Sequence, residues 1–370
     1  MARHLWVGTR KGLFRFDEAE DGAWRIGATA FLGDPVTAIL PFAGGRRVLA
    51  ALDHGHFGCK MQLSEDGGAS WNESAAPAYP PKPDDEVDLD PFRKTPVPWT
   101  TKLIWTLEAG HPAHPDEAWC GTIPGGLFRS PDRGESWELV RSLWDHPKRK
   151  LWVGGGADLA GIHSVVFDPR RADRVLVGVS CGGVWRTDDR GETWEQTAHG
   201  MRSDYAPPEL AHVPDSQDVH RLSVCRGAPD RIWAQHHNGI FRSDDAGASW
   251  NEIEGVRPSV FGFPVVAHPE RPDTAWFVPA VKDEKRYPVD GRLVVNRTDD
   301  AGKTFTALGE GLPAEHAYDL VYRHALDVAA DGETLALGST TGNLWVGLDG
   351  GARFVSLSST LPPIYALRFA

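Results

Sequence analysis

Apolar side chains in this chain come in short runs interrupted by glycine, aspartate and proline. Runs such as Ile162-His163-Ser-Val165-Val166-Phe167-Asp-Pro169 and Asp173-Arg-Val175-Leu176-Val177-Gly178 have the length and β-branched content of strands. A second kind of run follows paired glycines or Asn-Gly: Leu127-Phe128-Arg129, Val184-Trp185-Arg186 and Ile240-Phe241-Arg242. Each of these leads into a polar segment of the form Ser/Thr-x-Asp-x-Gly-x-x-Trp/Phe, whose closing aromatic begins a further strand. The pattern therefore predicts four short strands per unit, with the polar segment as the third turn. Aspartate can bond backbone donors two residues on, and glycine takes positive φ cheaply, so the segment has a turn's chemistry.

Copies run from Ser64 to Trp71, Ser130 to Trp137, Thr187 to Trp194, Ser243 to Trp250 and Thr298 to Phe305, and a worn copy from Gly347 to Phe354 keeps Asp349 and Gly351. The closing aromatics recur roughly every 50–65 residues, the mark of a repeat architecture. Four-stranded units repeated radially describe a β-propeller. Six units carry the turn. The first residues add strands around Leu5-Trp6-Val7-Gly8, Gly12-Leu-Phe14-Arg15-Phe16 and Trp24-Arg25-Ile26, without an inner strand, and the chain ends on Pro363-Ile364-Tyr365-Ala366-Leu367-Arg368-Phe369, an inner-type strand without followers. The two ends together complete a seventh blade, which removes the open edge a linear array would leave. The expectation is an all-β, seven-bladed β-propeller of four-stranded blades, one domain over residues 1–370.

The recurring turn resembles the Asp-box, or BNR, repeat, found in sialidases, xyloglucan-degrading glycosidases, sortilin-type receptors and photosystem assembly factors. The chain looks most similar to bacterial glycosyl hydrolase-like and sialidase-like BNR-repeat proteins. That resemblance implies the propeller fold; function has to come from the site, because one fold hosts many activities. True sialidases also carry an Arg-Ile-Pro-type segment near the N-terminus; the corresponding stretch here reads Val7-Gly-Thr-Arg10-Lys-Gly-Leu-Phe14, and no sialidase catalytic residue is carried over. Xyloglucan-type enzymes clasp a polymer between two propellers, whereas this chain supplies one. Photosystem assembly factors bind through arginine-rich surfaces, which the acidic balance here does not favour.

A net charge of −12 argues against a nucleic-acid partner, since phosphate binding needs a basic footprint. No apolar run is long enough for a membrane span, and the first residues, Met1-Ala-Arg-His-Leu5-Trp6, read as a strand rather than a signal core, so a cytoplasmic protein is expected. Cys59, Cys120, Cys181 and Cys225 lack metal-type pair spacing and are expected as free thiols.

In a propeller the between-blade loops and the loops joining second to third strands share one face, opposite the recurring turns. Long between-blade loops are predicted at 72–101, 141–161 and 197–218, and loops of this length in a compact fold are usually functional or disordered. Three inner strands open with histidine: His163, His220 and His324, on the fourth, fifth and seventh blades. His54 and His56 in Asp53-His-Gly-His56, and His236 and His237 in Gln235-His-His-Asn238, fall in second-to-third-strand loops of the same face. Strand alternation turns only one of His236 and His237 inward, and His236 is taken.

Three readings compete for the histidines. His163, His220 and His324 could hold a divalent metal, zinc first, with an open position for water. Metal-free acid–base work would use His54, His56, His236 and Arg323. Hydrogen-bonded channel histidines with no chemistry are the third reading. Trp99, Lys102, Trp105, Tyr205 and Tyr318 are candidate ligand-binding residues, joined by the Lys282–Pro288 loop; the mixture suits a small polar or carbohydrate-like ligand. Asp53, Glu108, Asp158, Asp204, Glu209, Asp218 and Asp319 also map to this face, and read mostly as turn acids. The functions in play are a hydrolase or lyase acting on such a ligand, a non-catalytic binding or assembly scaffold, and a glycosidase using carboxylates alone.

Overall fold

The computed structural model describes residues 3–154 and 157–370. Met1 and Ala2 of the expected first strand, and Gly155 and Gly156 of the 141–161 loop, lie outside the described residues. The chain forms seven four-stranded antiparallel sheets arranged as blades. The last strand, Ile364–Phe369, pairs with the first, His4–Thr9, so the two ends of the chain close the ring within one blade. The seven-bladed propeller read from the sequence is thus the observed fold. No helix of the described residues is long and apolar enough to cross a membrane, and all four cysteines are free thiols.

The recurring turns are self-contained hydrogen-bond units. Ser130 Oγ accepts from Gly134 N at 2.7 Å and donates to Asp132 Oδ1 at 2.8 Å, while Asp132 Oδ1 accepts from Ser136 N at 2.8 Å. The same set recurs around Asp66, Asp189, Asp245 and Asp300. Each turn also uses a hydroxyl just before the aromatic: Ser70, Ser136, Thr193, Ser249 and Thr304 donate to the second carboxylate oxygen. The copy at Asp349 keeps the positive φ at Gly350 and Gly351, but Gly347 has no hydroxyl to offer.

Seven inner strands line the channel, and six share an irregularity. The ladder to the neighbouring strand slips at Thr37, Trp105, His163, His220, Tyr365 and the Phe263-Pro264 pair. A bulge re-aims a side chain and leaves a backbone group outside the ladder. This device, invisible in the hydrophobic pattern, sets what faces the mouth of the channel.

Candidate functional site

The three aligned histidines do not converge on one centre. His163 is fully buried; its Nε2 lies 2.7 Å from Val219 O and its Nδ1 2.9 Å from Ser164 Oγ. His324 Nε2 lies 2.8 Å from His163 O. His220 Nδ1 lies 2.7 Å from Gly262 O. Each of the three spends one ring nitrogen on a backbone carbonyl, His163 spends the other on Ser164, and among the described residues the ligand atoms of the three do not come within 4.8 Å of one another; burial also pushes His163 and His324 well below the usual histidine pKa. The trio as a metal site is corrected on this ground.

Only His220 keeps a ring nitrogen aimed at other ligand atoms. Its Nε2 lies 3.6 Å from Asp218 Oδ2, and His237 Nδ1 lies 3.3 Å from the same oxygen. Asp218, His220 and His237 each offer an atom within 4.8 Å of the others, and among the described residues they are the group able to hold a metal ion. Asp218 ends the long 197–218 loop, and His220 follows two residues on at the bulge of the inner strand Val219–Val224. His237 comes from the adjacent second-to-third-strand loop. Burial works to raise the Asp218 carboxyl, but His220 and His237 hold it well below the usual range. Burial lowers His220 against the opposing pull of Asp218. Asp218 Oδ1 is itself buried and unpartnered.

Aromatic rings frame this group. His220 stacks on Phe263 with centroids 4.7 Å apart and planes at 15°. Tyr205 meets His237 edge-on at 5.0 Å while its hydroxyl donates to Ser216 O at 2.6 Å. Arg323 lies between Trp105 and Phe263, its guanidinium carbon 4.8 and 5.1 Å from their centroids. Arg286, from the expanded loop of the sixth blade, reaches the same Phe263 ring at 5.3 Å.

The structure thus gathers Trp105, Tyr205, His220 and Arg323 at one mouth, with His163 beneath Trp105 at 5.5 Å between rings. Other candidates stand elsewhere. His54 pairs with Asp34 at 3.6 Å, and His56 is exposed against Phe57. His236 is buried against Phe241, accepts weakly from Asn238 N at 3.4 Å, and is lowered by burial to about 3; its neighbour His237 is the one turned toward Asp218. Lys102 is exposed. Tyr318 is exposed beside Tyr287. Trp99 donates to Asp88 Oδ2 at 2.9 Å, and Asp88 in turn pairs with buried Arg149 at 2.9 Å, so Trp99 braces two long loops against each other. Sequence reasoning missed Asp218 as more than a turn acid, and Phe263 altogether; the Asp-x-His spacing and the alignment of Phe263 with His163 and His220 were the available signals.

Deeper in the channel, Arg368 bonds Glu108, Arg221 lies 3.8 Å from the same carboxylate, and Arg221 Nη1 donates to His163 O at 3.2 Å. Asp327 accepts from Phe369 N at 2.8 Å. A separate surface depression of about 340 Å³ lies along the fourth blade, where Lys148 donates to Gln196 at 3.1 Å.

No family model matches the chain. The oligoxyloglucan-reducing end-specific xyloglucanase of Emericella nidulans is 39% identical over 88 residues, 24% of this chain and 10% of that protein. The other curated relatives that match also carry xyloglucanase names. Among solved structures, the GH74 xyloglucanase from Xanthomonas campestris superposes with a TM-score of 0.61 at 16% identity, covering 94% of this chain and 50% of that one. YCF48 bound to D1 peptide gives 0.54 at 15% identity, covering 92% and 88%. At these identities the structural likeness speaks for the fold alone, and the chain matches only a small part of its curated relatives' length. The matches nonetheless correct the resemblance drawn from the recurring turn: the relatives are xyloglucanases of the GH74 type, not sialidase-like BNR-repeat proteins.

Proposed function

We propose that this propeller is a glycoside hydrolase-like protein that binds a carbohydrate at the channel mouth and acts on it with the Asp218–His220–His237 group. The observation that carries the reading is the shared approach of two imidazoles to one buried carboxylate oxygen, at 3.3 and 3.6 Å, under an aromatic frame suited to a sugar face. Similarity of part of the chain to xyloglucanases supports the ligand class.

The donor set fits a divalent cation, zinc first. Ligand atoms about 2.0–2.1 Å from a tetrahedral zinc lie about 3.3 Å apart, close to the spacings at Asp218. His220 has the arrangement of a metal-ligating histidine, with its other ring nitrogen on a backbone carbonyl, Gly262 O. Carboxylate oxygen and imidazole nitrogen are both donor types that zinc takes. A bound cation would supply an acidified water near neutral pH. Asp218 and the two histidines would hold it; Trp105, Phe263 and Tyr205 would orient the sugar and exclude bulk water. Glu108 is engaged by Arg368, whereas Asp218 keeps Oδ1 without a partner.

Zinc content of untagged protein, together with reducing-sugar release from xyloglucan-derived and other oligosaccharides, tests the reading. Near-stoichiometric zinc, lost in Asp218→Asn and His237→Ala along with activity or binding, is expected. Wild-type protein with no metal, whose saccharide binding is unchanged in Asp218→Asn, would overturn it.

A further inference from the structure

Two arginines of the described chain are buried, each 6% exposed, and they are treated differently. Arg149 is neutralised by Asp88 through two bonds of 2.9 Å. Arg323 has no ion pair and no hydrogen-bond acceptor among the described residues, and its Nε and Nη2 are shielded from solvent without a partner. The faces of Trp105 and Phe263 hold its plane at 4.8 and 5.1 Å but supply no anion. Burial lowers its pKa only to about 10, so it stays charged at neutral pH. An uncompensated buried charge is costly and is retained where something else completes it.

The surroundings narrow what that something is. Asp218 is close enough to favour the Arg323 charge but lies beyond ion-pair distance, and its oxygen is engaged by His220 and His237. Arg286, the other cation on the Phe263 ring, is already bonded to Asp283. The unmet buried charge is therefore a single positive one at the channel mouth. Nε and Nη2 are enclosed, which leaves Nη1 as the guanidinium nitrogen open to a ligand. A carboxylate oxygen received at Nη1 makes a charge-assisted hydrogen bond and brings the single negative charge that balances the guanidinium. A phosphate dianion would bring surplus negative charge next to Asp218.

We propose that the ligand carries a carboxylate received by Arg323, so that the substrate class is an acidic saccharide containing a uronic acid unit. This rests on the carbohydrate reading above and adds the charge.

Isothermal titration of the full chain with trigalacturonate, with its carboxyl-reduced neutral counterpart and with galactose 6-phosphate tests it. Trigalacturonate is expected to bind at least tenfold more tightly than the neutral trisaccharide, with a preference that shrinks as salt rises. Arg323→Met should abolish the preference and Arg323→Lys should keep part of it, both checked for folding by circular dichroism. The wild-type comparison needs no variant and stands even if both variants fail to fold. Equal binding of the acidic and neutral trisaccharides would overturn the acidic assignment while leaving the carbohydrate reading intact. Binding of the phosphate alone would overturn the carboxylate, and binding of none of the three would overturn both readings.

Discussion

His163 Nε2 sits 2.7 Å from the carbonyl oxygen of Val219, the residue immediately before His220 on the next blade. His220 repeats the relationship 2.7 Å from Gly262 O, just before Phe263, and Thr37 Oγ1 does so 2.8 Å from Ile104 O, just before Trp105. A bulge takes its strand's backbone out of the ladder, and a buried carbonyl left there needs a donor. The bulged side chain of the preceding blade provides it. One device thus aims side chains into the channel mouth and ties together sheets that share no ladder.

His163→Ala removes that donor and leaves a cavity in a closely packed layer. It is expected to lower stability by about 2–4 kcal/mol. Thr37→Val, which removes one hydrogen bond and keeps the volume, should cost about 1 kcal/mol. Urea unfolding measures both. If His163 is a tie and not a ligand, metal content in folded His163→Ala equals that of the wild type.

The seven blades were legible because the turn chemistry is local: one carboxylate, one hydroxyl and one positive-φ glycine repeat at fixed offsets, and each copy satisfies itself. The histidine register was legible too, since His163, His220 and His324 occupy equivalent places. Their roles were not. Both His163 and His220 face a carbonyl of the next blade, but the second nitrogen meets Ser164 Oγ in one and Asp218 in the other. Asp218 and His237 meet across a loop and a hairpin about twenty residues apart, a juxtaposition that alternation along one strand cannot express. Arg323 reads from the sequence as an acid–base candidate, whereas its surroundings are made by Trp105 and Phe263 on two other blades.

Gly247 stands at φ +78° in the fourth recurring turn, where an added Cβ would lie 2.2 Å from Leu176 Cδ2. Gly255 has a similar φ of +73° but open space around it. Alanine at Gly255 therefore carries the backbone penalty alone, about 1 kcal/mol, and alanine at Gly247 adds a clash with Leu176 of the neighbouring fourth blade, for about 2–4 kcal/mol in all. Thermal unfolding of the two variants should separate them in that order; equal losses would mean that the turn does not press on Leu176.

The long loops over the third and fourth blades are held by Asp88. It accepts from Trp99 Nε1 at 2.9 Å and pairs with Arg149, whose Nε donates to Trp144 O at 2.9 Å. Arg149 also lies 4.2 Å from the Trp144 ring. Asp88→Ala strands a buried guanidinium, a change that costs about 3–5 kcal/mol when nothing relaxes. Faster hydrogen exchange is expected over residues 86–99 and 141–152 in this variant, with protection of the inner strands unchanged.

Acid should destabilise the fold in two stages. Burial holds His163, His236 and His324 below the usual histidine value, His236 at about 3. The unfolded chain protonates these side chains near pH 6.5 while the native state does not, so unfolding takes up protons and stability falls as pH drops below about 6.5. Each such histidine contributes a slope of about 1.4 kcal/mol per pH unit, and three together about 4. The turn aspartates act lower. Hydroxyl and amide donors lower Asp66 to about 2, and Asp132, Asp189, Asp245 and Asp300 are lowered by the same kind of bonds against the opposing effect of burial. Their stabilisation is complete above the unfolded value near pH 4 and is lost as pH falls from there toward the native values. Urea midpoints measured from pH 8 to pH 3 should therefore be flat above about 6.5, fall below it, and fall more steeply below about 4. His236→Phe, which fills the same pocket without a titrating ring, should flatten the first decline by about one histidine's slope; an unchanged profile would show that His236 titrates alike in both states.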